Sequence, residues 1–543
     1  MRHATVLIGA LSIFLASAPA AAGSPFPITT LVREGDAVAG VGLVTRIDNL
    51  AVNSFGDWLV EVDTDLANTD ADTVLLLNGS LYLRENGALP DPSGTRIDAF
   101  DSINLNLNGD SGWNLFLAGP PTGEDSGLYF NTTLVIQESD VSTAPEFSPG
   151  TPYIGFFDAK LNDSNVMLVV ASVDDPGIAS TVDRAIVRIG MDPTGGLLSE
   201  HVLAKEGDIL GQQQDPVADF GTGPHQSAFN NAGQALFFAD LAGPTDVDGA
   251  IYLNDVLIAQ EGDPSPVTGR NYELLSGRGM DLNRHGQLFF KANIDGPTQD
   301  DEMLVRNTQV FIRERDTLPS LGLFTLTGFG IGSGPVRIDD NGNLLWYGAW
   351  NDPNTNVDTG LFLNELLLVQ EGVTMIGGQP IDSIANGADA FAISDNGRYI
   401  VFEATLQDGN DGAFLIEIVP PSAVPDGGVV PGTPMTAGRN PNGVDIDVTW
   451  DVTTCVAEDY HLLYGDLADV SSYAYAGAAC GLGTAGQATV SPPSGDVFWV
   501  LVAVDALGFE GTHGFDGNAA PRPASAGGLC AVPAQVSGSS CPP

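Results

Sequence analysis

The chain is expected to be all-β: a seven-bladed β-propeller closed by its N- and C-terminal strands, followed by a small β-sandwich. Three observations lead there. Short apolar runs are punctuated throughout by turn residues, including 66 Gly and 35 Pro in 543 residues, and such runs read as strands and turns. One sequence pattern recurs seven times, at spacings of 51 to 68 residues. The first and last copies are incomplete in complementary ways.

Residues 1–22 read as an export signal. Arg2 and His3 precede the apolar run "ATVLIGALSIFLA", and the small residues "SAPAAAG" follow it. A charged start, a short greasy core and an Ala-x-Ala ending suit cleavage after Ala20 or Ala22, and the run is too short for a spanning helix. No later run approaches the ~20 apolar residues of a membrane helix, so no membrane insertion is expected.

The repeat occupies residues 29–419. Its first marker is a strand ending in Glu, at Glu34, Glu85, Glu138, Glu206, Glu261, Glu314 and Glu371. Its second is a small polar residue, two variable positions and Gly, starting at Asn53, Asn106, Asn162, Asn230, Asn283, Asp339 and Ser394. The Gly supplies the positive φ of a tight turn, and Asn165 takes its place in the third copy. A third marker is a strand before the next Glu, such as "AIYLN" or "MLVRN". The longer third unit is assigned to an extended turn, "GMDPTGGLLSE".

Each unit therefore holds about four strands, which is the size of a propeller blade. Apolar pairs before each Glu, such as Leu31 and Val32, point to opposite faces of their strand, so both faces are expected to be buried. The series opens with a lone Glu strand and closes with "GAFLIEI", which lacks one. Pairing the two completes a seventh sheet and removes the exposed edges.

Residues 420–440 are a Pro/Gly linker, and residues 441–543 read as the sandwich, with alternating "VDIDVTW" and "YHLLYGDL". All four cysteines, Cys455, Cys480, Cys530 and Cys541, fall there and imply disulfides in an exported chain. Three connectivities are possible, and the sequential one, Cys455–Cys480 with Cys530–Cys541, is expected.

The formal charge of −49 excludes general nucleic-acid binding and disfavours anionic membranes. Sites of chemistry are sparse. "NGDSGW" around Ser111 lacks a histidine context to serve as base, and the lone histidines His201, His225, His285, His461 and His513 show no metal-binding spacing, which favours surface or core placement. Asp352, Asn354, Asn356 and Asp358 alternate before Gly360 and offer oxygen ligands for calcium, although the full calcium-loop pattern is absent and a solvated turn is the competing reading. The seven glutamates suit either a structural role in each unit or a ring of carboxylates, and structure is the preferred reading.

The second marker resembles the NxxGxxAF repeat of large exported bacterial proteins, with "NNAGQALFF" and "NRHGQLFFKA" as its fullest copies. The C-terminal part resembles a fibronectin type III domain in "IDVTW", "YHLLYGD" and "FWVLVAVDALGFEG". The repeat resemblance implies export and no catalytic residues. The expected function is therefore non-catalytic binding or adhesion toward an extracellular protein or glycan, with no cofactor beyond possible calcium. A polysaccharide hydrolase or lyase with carboxylates in the cavity is the alternative.

Overall fold

The computed structural model describes residues 24–178, 183–211, 213–387, 389–427, 430–472, 474–491, 495–514, 522, 529–539 and 541; the expected export signal, 1–22, lies outside them. The protein is all-β, built from small antiparallel sheets. Among the described residues, seven sheets follow one another in sequence over 37–84, 96–137, 153–205, 217–260, 272–313, 326–370 and 375–417. The seventh also takes in the N-terminal strand Ile28–Arg33, which pairs antiparallel with Asp411–Glu417.

Two kinds of turn repeat because two asparagine geometries repeat. At the second marker, the Asn53 side-chain oxygen accepts from the amides of Phe55 and Asp57, both at 3.0 Å. Asn106, Asn162, Asn230 and Asn283 bind their own turns in the same way. The marker glycines have φ between 73° and 85°, and Asn165 has φ 57° in the same place. The next hairpin turns on Asn78, Asn131, Asn254, Asn307 or Asn364, all with positive φ, and each Oδ1 accepts from an amide at the start of the adjacent strand, the first of the strand in four cases and Ser111, just before it, for Asn131.

Successive residues of a strand face opposite sides, and here both sides are dry. Phe290 packs with Leu236 and Phe238 of the fourth sheet, while its neighbour Phe289 packs with Trp346 and Phe362 of the sixth. Trp346 stacks on Phe362 with ring centroids 4.4 Å apart. Seven apolar clusters each join two sheets in this manner. Six join neighbours in sequence. The remaining cluster joins Val32, Val401 and Ala413 of the seventh sheet to Val44, Val60 and Val74 of the first.

Three expectations are refined or corrected. The third unit is long because its strands are, with eight residues in Val166–Val173 and nine in each of Asp183–Met191 and Leu197–Lys205, and because the turn between the last two spans 192–196 where the next unit's spans only 254–255. The expected linker 420–440 contains a strand, Thr436–Arg439, which pairs with Ile446–Thr449. The cysteines pair as Cys455–Cys541 and Cys480–Cys530, not sequentially. The cause is the path of the last segment. A parallel bridge between Glu510 and Gln535 lays it along the end of the preceding sheet, so Cys530 meets Cys480 and Cys541 reaches the Cys455 loop.

After residue 430 the described residues form two three-stranded sheets that share one cluster, including Val448, Trp450, Tyr460, Leu462 and Leu501. Residues 533–537 dock on the first seven sheets. Asn343 bonds to both the amide and the carbonyl of Gln535, at 3.1 and 2.6 Å, and Asn364 donates to the Pro533 carbonyl at 2.9 Å. Ala534 and Val536 enter the apolar cluster between the sixth and seventh sheets.

Candidate functional site

The second-marker turns of all seven sheets converge. Each asparagine that holds its own turn through Oδ1 also donates from its side-chain amide to the next turn. Asn53 donates to the Asn106 carbonyl at 3.1 Å, Asn106 to Asn162 at 3.3 Å, Asn162 to Asn230 at 3.3 Å, Asn230 to Asn283 at 2.7 Å, and Asn283 to Asp339 at 2.9 Å. Asp339 has no amide to give. Asn341 takes over, donating to the Asn396 carbonyl at 2.9 Å, and Asn396 donates to the Ser54 carbonyl at 2.9 Å. The circuit is closed.

Inside this circuit the register of the innermost strand sets the layers. One residue after the marker come Ser54, Leu107, Asp163, Asn231, Arg284, Asp340 and Asp395. These line a cavity of about 140 Å3. One residue before the marker the ring is apolar: Val52, Leu105, Leu161, Phe229, Leu282, Ile338 and Ile393. Two before it come Ala51, Asn104, Lys160, Ala228, Asp281, Arg337 and Ala392, which line a second chamber of about 180 Å3. Every unit contributes to each layer.

The upper layer is acidic and crowded. Asp340 accepts from the Arg284 amide at 2.9 Å, Asp163 accepts from the Leu107 amide at 2.7 Å, and Asn231 donates to Asp395 at 2.9 Å. Burial, followed by the charge of Asp395, holds the Asp340 carboxyl well above its ordinary value. Burial with Asp163 and Asp281 nearby pushes Asp395 up to about 6. Below about pH 6 the Asp395 carboxyl keeps its proton and can donate as well as accept a hydrogen bond.

The lower chamber breaks the repeat's symmetry. Lys160 pairs with Asp158 at 2.8 Å, and Asp158 also accepts from the Ser227 hydroxyl at 2.9 Å. Arg337 pairs with Asp389 at 2.8 Å and lies 3.2 Å from Nδ1 of His225, whose Nε2 is 3.5 Å from Asp389. Burial opposes the Lys160 charge, but Asp158 and Asp389 outweigh it and hold the ammonium above its ordinary value. His225 is 1 % exposed and has φ 62°, an uncommon backbone state for a non-glycine residue. Its charges are answered within the chamber.

Apart from His225, the residues singled out by sequence lie elsewhere. The repeat glutamates bond mostly within their own sheets. Glu206 accepts from the Arg184 amide at 2.9 Å, Glu314 from Asp301 and Glu302 at 3.0 and 3.1 Å, Glu85 from Thr73 at 3.3 Å, and Glu371 from the Thr359 hydroxyl at 2.6 Å. Glu261 accepts from the Leu275 amide at 2.8 Å. The Glu138 carboxyl is raised by burial and by Asp125, and Glu34 lines a separate cleft with Arg46 and Glu403. Asp352, Asn354, Asn356 and Asp358 lie between Leu344–Trp350 and Thr359–Leu363, where Asp352 accepts from the Asn354 amide at 2.8 Å and Asn354 from the Asn356 amide at 3.4 Å. Ser111 is fully buried. His461, Glu510 and Cys530 lie close together, but Cys530 is held in a disulfide and is no thiolate ligand. Sequence reading passed over Asp158, Lys160, Arg337 and Asp389, and placed His225 only as a surface or core histidine. The signal was their fixed offset from the marker, two, four or five residues before it, although polar residues such as Asn49, Asn104 and Asp48 hold the same offsets in other units.

A family model described as a family of unknown function (DUF7453) matches residues 20–256. No curated protein matches the chain. Among solved structures the chain is similar to TolB from Acinetobacter baumannii, at 12% identity over 68% of this chain and 78% of that one, with TM-score 0.28. It is also similar to the polysaccharide lyase Uly1, at 11% identity over 71% and 91%, TM-score 0.29. A puromycin hydrolase is similar at 8% identity over 75% and 53%, TM-score 0.31. No helix of the described residues is long and apolar enough to cross a membrane.

Proposed function

We propose that the protein is an exported, non-catalytic binding protein. Residues 29–419 form a seven-bladed propeller closed by the N-terminal strand, and 441–543 form a fibronectin-like sandwich that acts as a spacer. The seven sheets, their cyclic apolar clusters and the closed asparagine circuit support the propeller reading. The ligand is a glycan end or a polar protein group, bound at the mouth lined by Asp163, Asn231, Arg284, Asp340 and Asp395.

One observation carries this choice. The mouth holds about 140 Å3, below the ~300–1,000 Å3 of pockets that engulf a ligand. The chamber beneath it is occupied by ions already paired with one another. A polymer therefore presents its end or an edge and does not thread through. Calcium at Asp352–Asp358 is an accessory to this reading and not a requirement of it.

The raised carboxyls of Asp340 and Asp395 favour a second reading, hydrolysis or elimination on a polysaccharide with one of them as general acid. The two separate cleanly. A glycan and protein array probed with the mature protein should show a ligand whose binding Asp395→Ala weakens about tenfold or more. Incubation with the same polymers should release neither reducing ends nor unsaturated products. Steady product release, abolished by Asp340→Asn or Asp395→Asn, would replace the binding reading with the enzymatic one.

A further inference from the structure

We propose that the cleft between the fifth and sixth sheets and the C-terminal segment is a second ligand site, for a small N-acylated amino acid with an apolar side chain. The cleft measures about 840 Å3, within the range of pockets that enclose small molecules. Val310, Phe311 and Leu366 form one wall, and Leu463, Leu529 and Val532 form the other. Apolar walls of this kind remove a side chain from water.

Two residues of this lining each carry a buried polar atom without a hydrogen-bond partner: Arg306 at Nε and Gln535 at Oε1. Gln535 is otherwise fully engaged. Its amide and carbonyl bond to Asn343, and its Nε2 donates to the Gly511 carbonyl at 3.3 Å. The residue is 2 % exposed. Its remaining oxygen is thus fixed in position and lacks a donor.

Arg306 reaches the cleft over Gly342, where a Cβ would stand 2.6 Å from its Nη2. The glycine leaves room for the guanidinium. Among the described residues Arg306 has no ion-pair partner. Burial lowers its pKa from the ordinary value, and the charge that opposes this, Asp339, has a carboxyl that burial pushes up to about 7. Arg306 is therefore only partly compensated at neutral pH.

The cleft thus offers a cation with a planar donor set, a fixed acceptor and apolar walls. A guanidinium prefers a carboxylate, which it binds through two parallel N–H donors. A fixed carbonyl acceptor calls for an N–H. Leaving either buried atom unpaired carries a desolvation cost that a matching ligand removes. An N-acyl amino acid supplies the carboxylate, the N–H and the apolar group in one small molecule.

The test is titration calorimetry of the full disulfide-bonded mature protein with N-acetylphenylalanine and with its amide. The acid should bind saturably and at least about tenfold more tightly than the amide. Arg306→Gln should abolish that preference while melting within a few degrees of the parent, and Asp395→Ala at the mouth should leave it intact. If Arg306→Gln does not fold, the acid-against-amide comparison on the parent still decides. No saturable binding of the acid, equal binding of acid and amide, or a preference unchanged in folded Arg306→Gln overturns the proposal. Loss of the preference in Asp395→Ala also overturns it, by placing the ligand at the mouth.

Discussion

Asn396 donates its side-chain amide to the carbonyl of Ser54 at 2.9 Å, joining residues 342 positions apart. The Asn396 backbone amide donates to the Ser54 hydroxyl at 3.2 Å, and the side-chain Oδ1 accepts from the Arg398 amide at 3.0 Å. One side chain therefore sets its own turn and fastens the last unit to the first. Asn396→Ala removes both sets of bonds. It should cost about 1–3 kcal/mol, the range for buried polar groups left unpaired, read as a lower denaturation midpoint. Asn108→Ala, on the exposed side of a comparable turn, should cost less. Equal losses would mean that closure contributes nothing particular.

A pH effect follows from the buried carboxyls. Burial pushes Glu61 and Glu403 up to about 8 and Glu314 up to about 7, from an ordinary 4.5. The folded protein holds these protons where the unfolded chain has released them. That contribution is complete below pH 4.5 and is lost as pH climbs to about 8. Calorimetry should show a higher melting temperature at pH 5 than at pH 8, and Glu403→Gln should flatten the slope between them. A parent that melts later at pH 8 would contradict the assignment.

The ion pairs of the lower chamber predict strong coupling. Asp389→Asn leaves Arg337 and His225 without their shared carboxylate. A loss of about 2–4 kcal/mol is expected, since removing one partner of a largely buried pair strands the other. Arg337→Met combined with Asp389→Leu should lose less than the sum of the single changes. Additive losses in a double-mutant cycle would show that the two groups do not interact.

The disulfide pairing is directly checkable. Proteolysis without reduction should yield peptides linking Cys455 to Cys541 and Cys480 to Cys530. Recovery of Cys455 linked to Cys480 would restore the sequential scheme. Reduction should release 529–541 to protease well before the sheets of 37–417 are cut, because each bridge holds one end of the docked 533–537 segment.

What could be read from sequence was whatever recurs. Gly56, Gly233 and Gly342 announce their turns because one backbone state is needed each time. Asp158, Lys160, His225 and Arg337 do not recur. They occupy offsets filled elsewhere by Asn49, Asn104, Asp48 and Ala392, so no motif marks them, and only the apolar ring beside them fixes the register. The disulfide pairing was equally hidden. Sequence separation favours short loops, whereas Cys530 and Cys541 are placed by the contacts of Gln535 with Asn343 and Glu510.

The strand pair that joins Ile28–Arg33 to Asp411–Glu417 has a mechanical consequence. Ile28 faces Ile416 and Arg33 faces Gly412, so the incoming and outgoing chains sit at the same end of the pair. Tension applied through the two chain ends loads this pair as a zipper, one bond after another, and not in shear across all of them at once. Unaided, it would peel at low force. The contacts of Phe26 with Phe509, 5.4 Å between centroids, and of residues 533–537 with Asn343 and Asn364 lie between that pair and a pull from the C-terminus. They form a shunt that must rupture before the zipper feels the load.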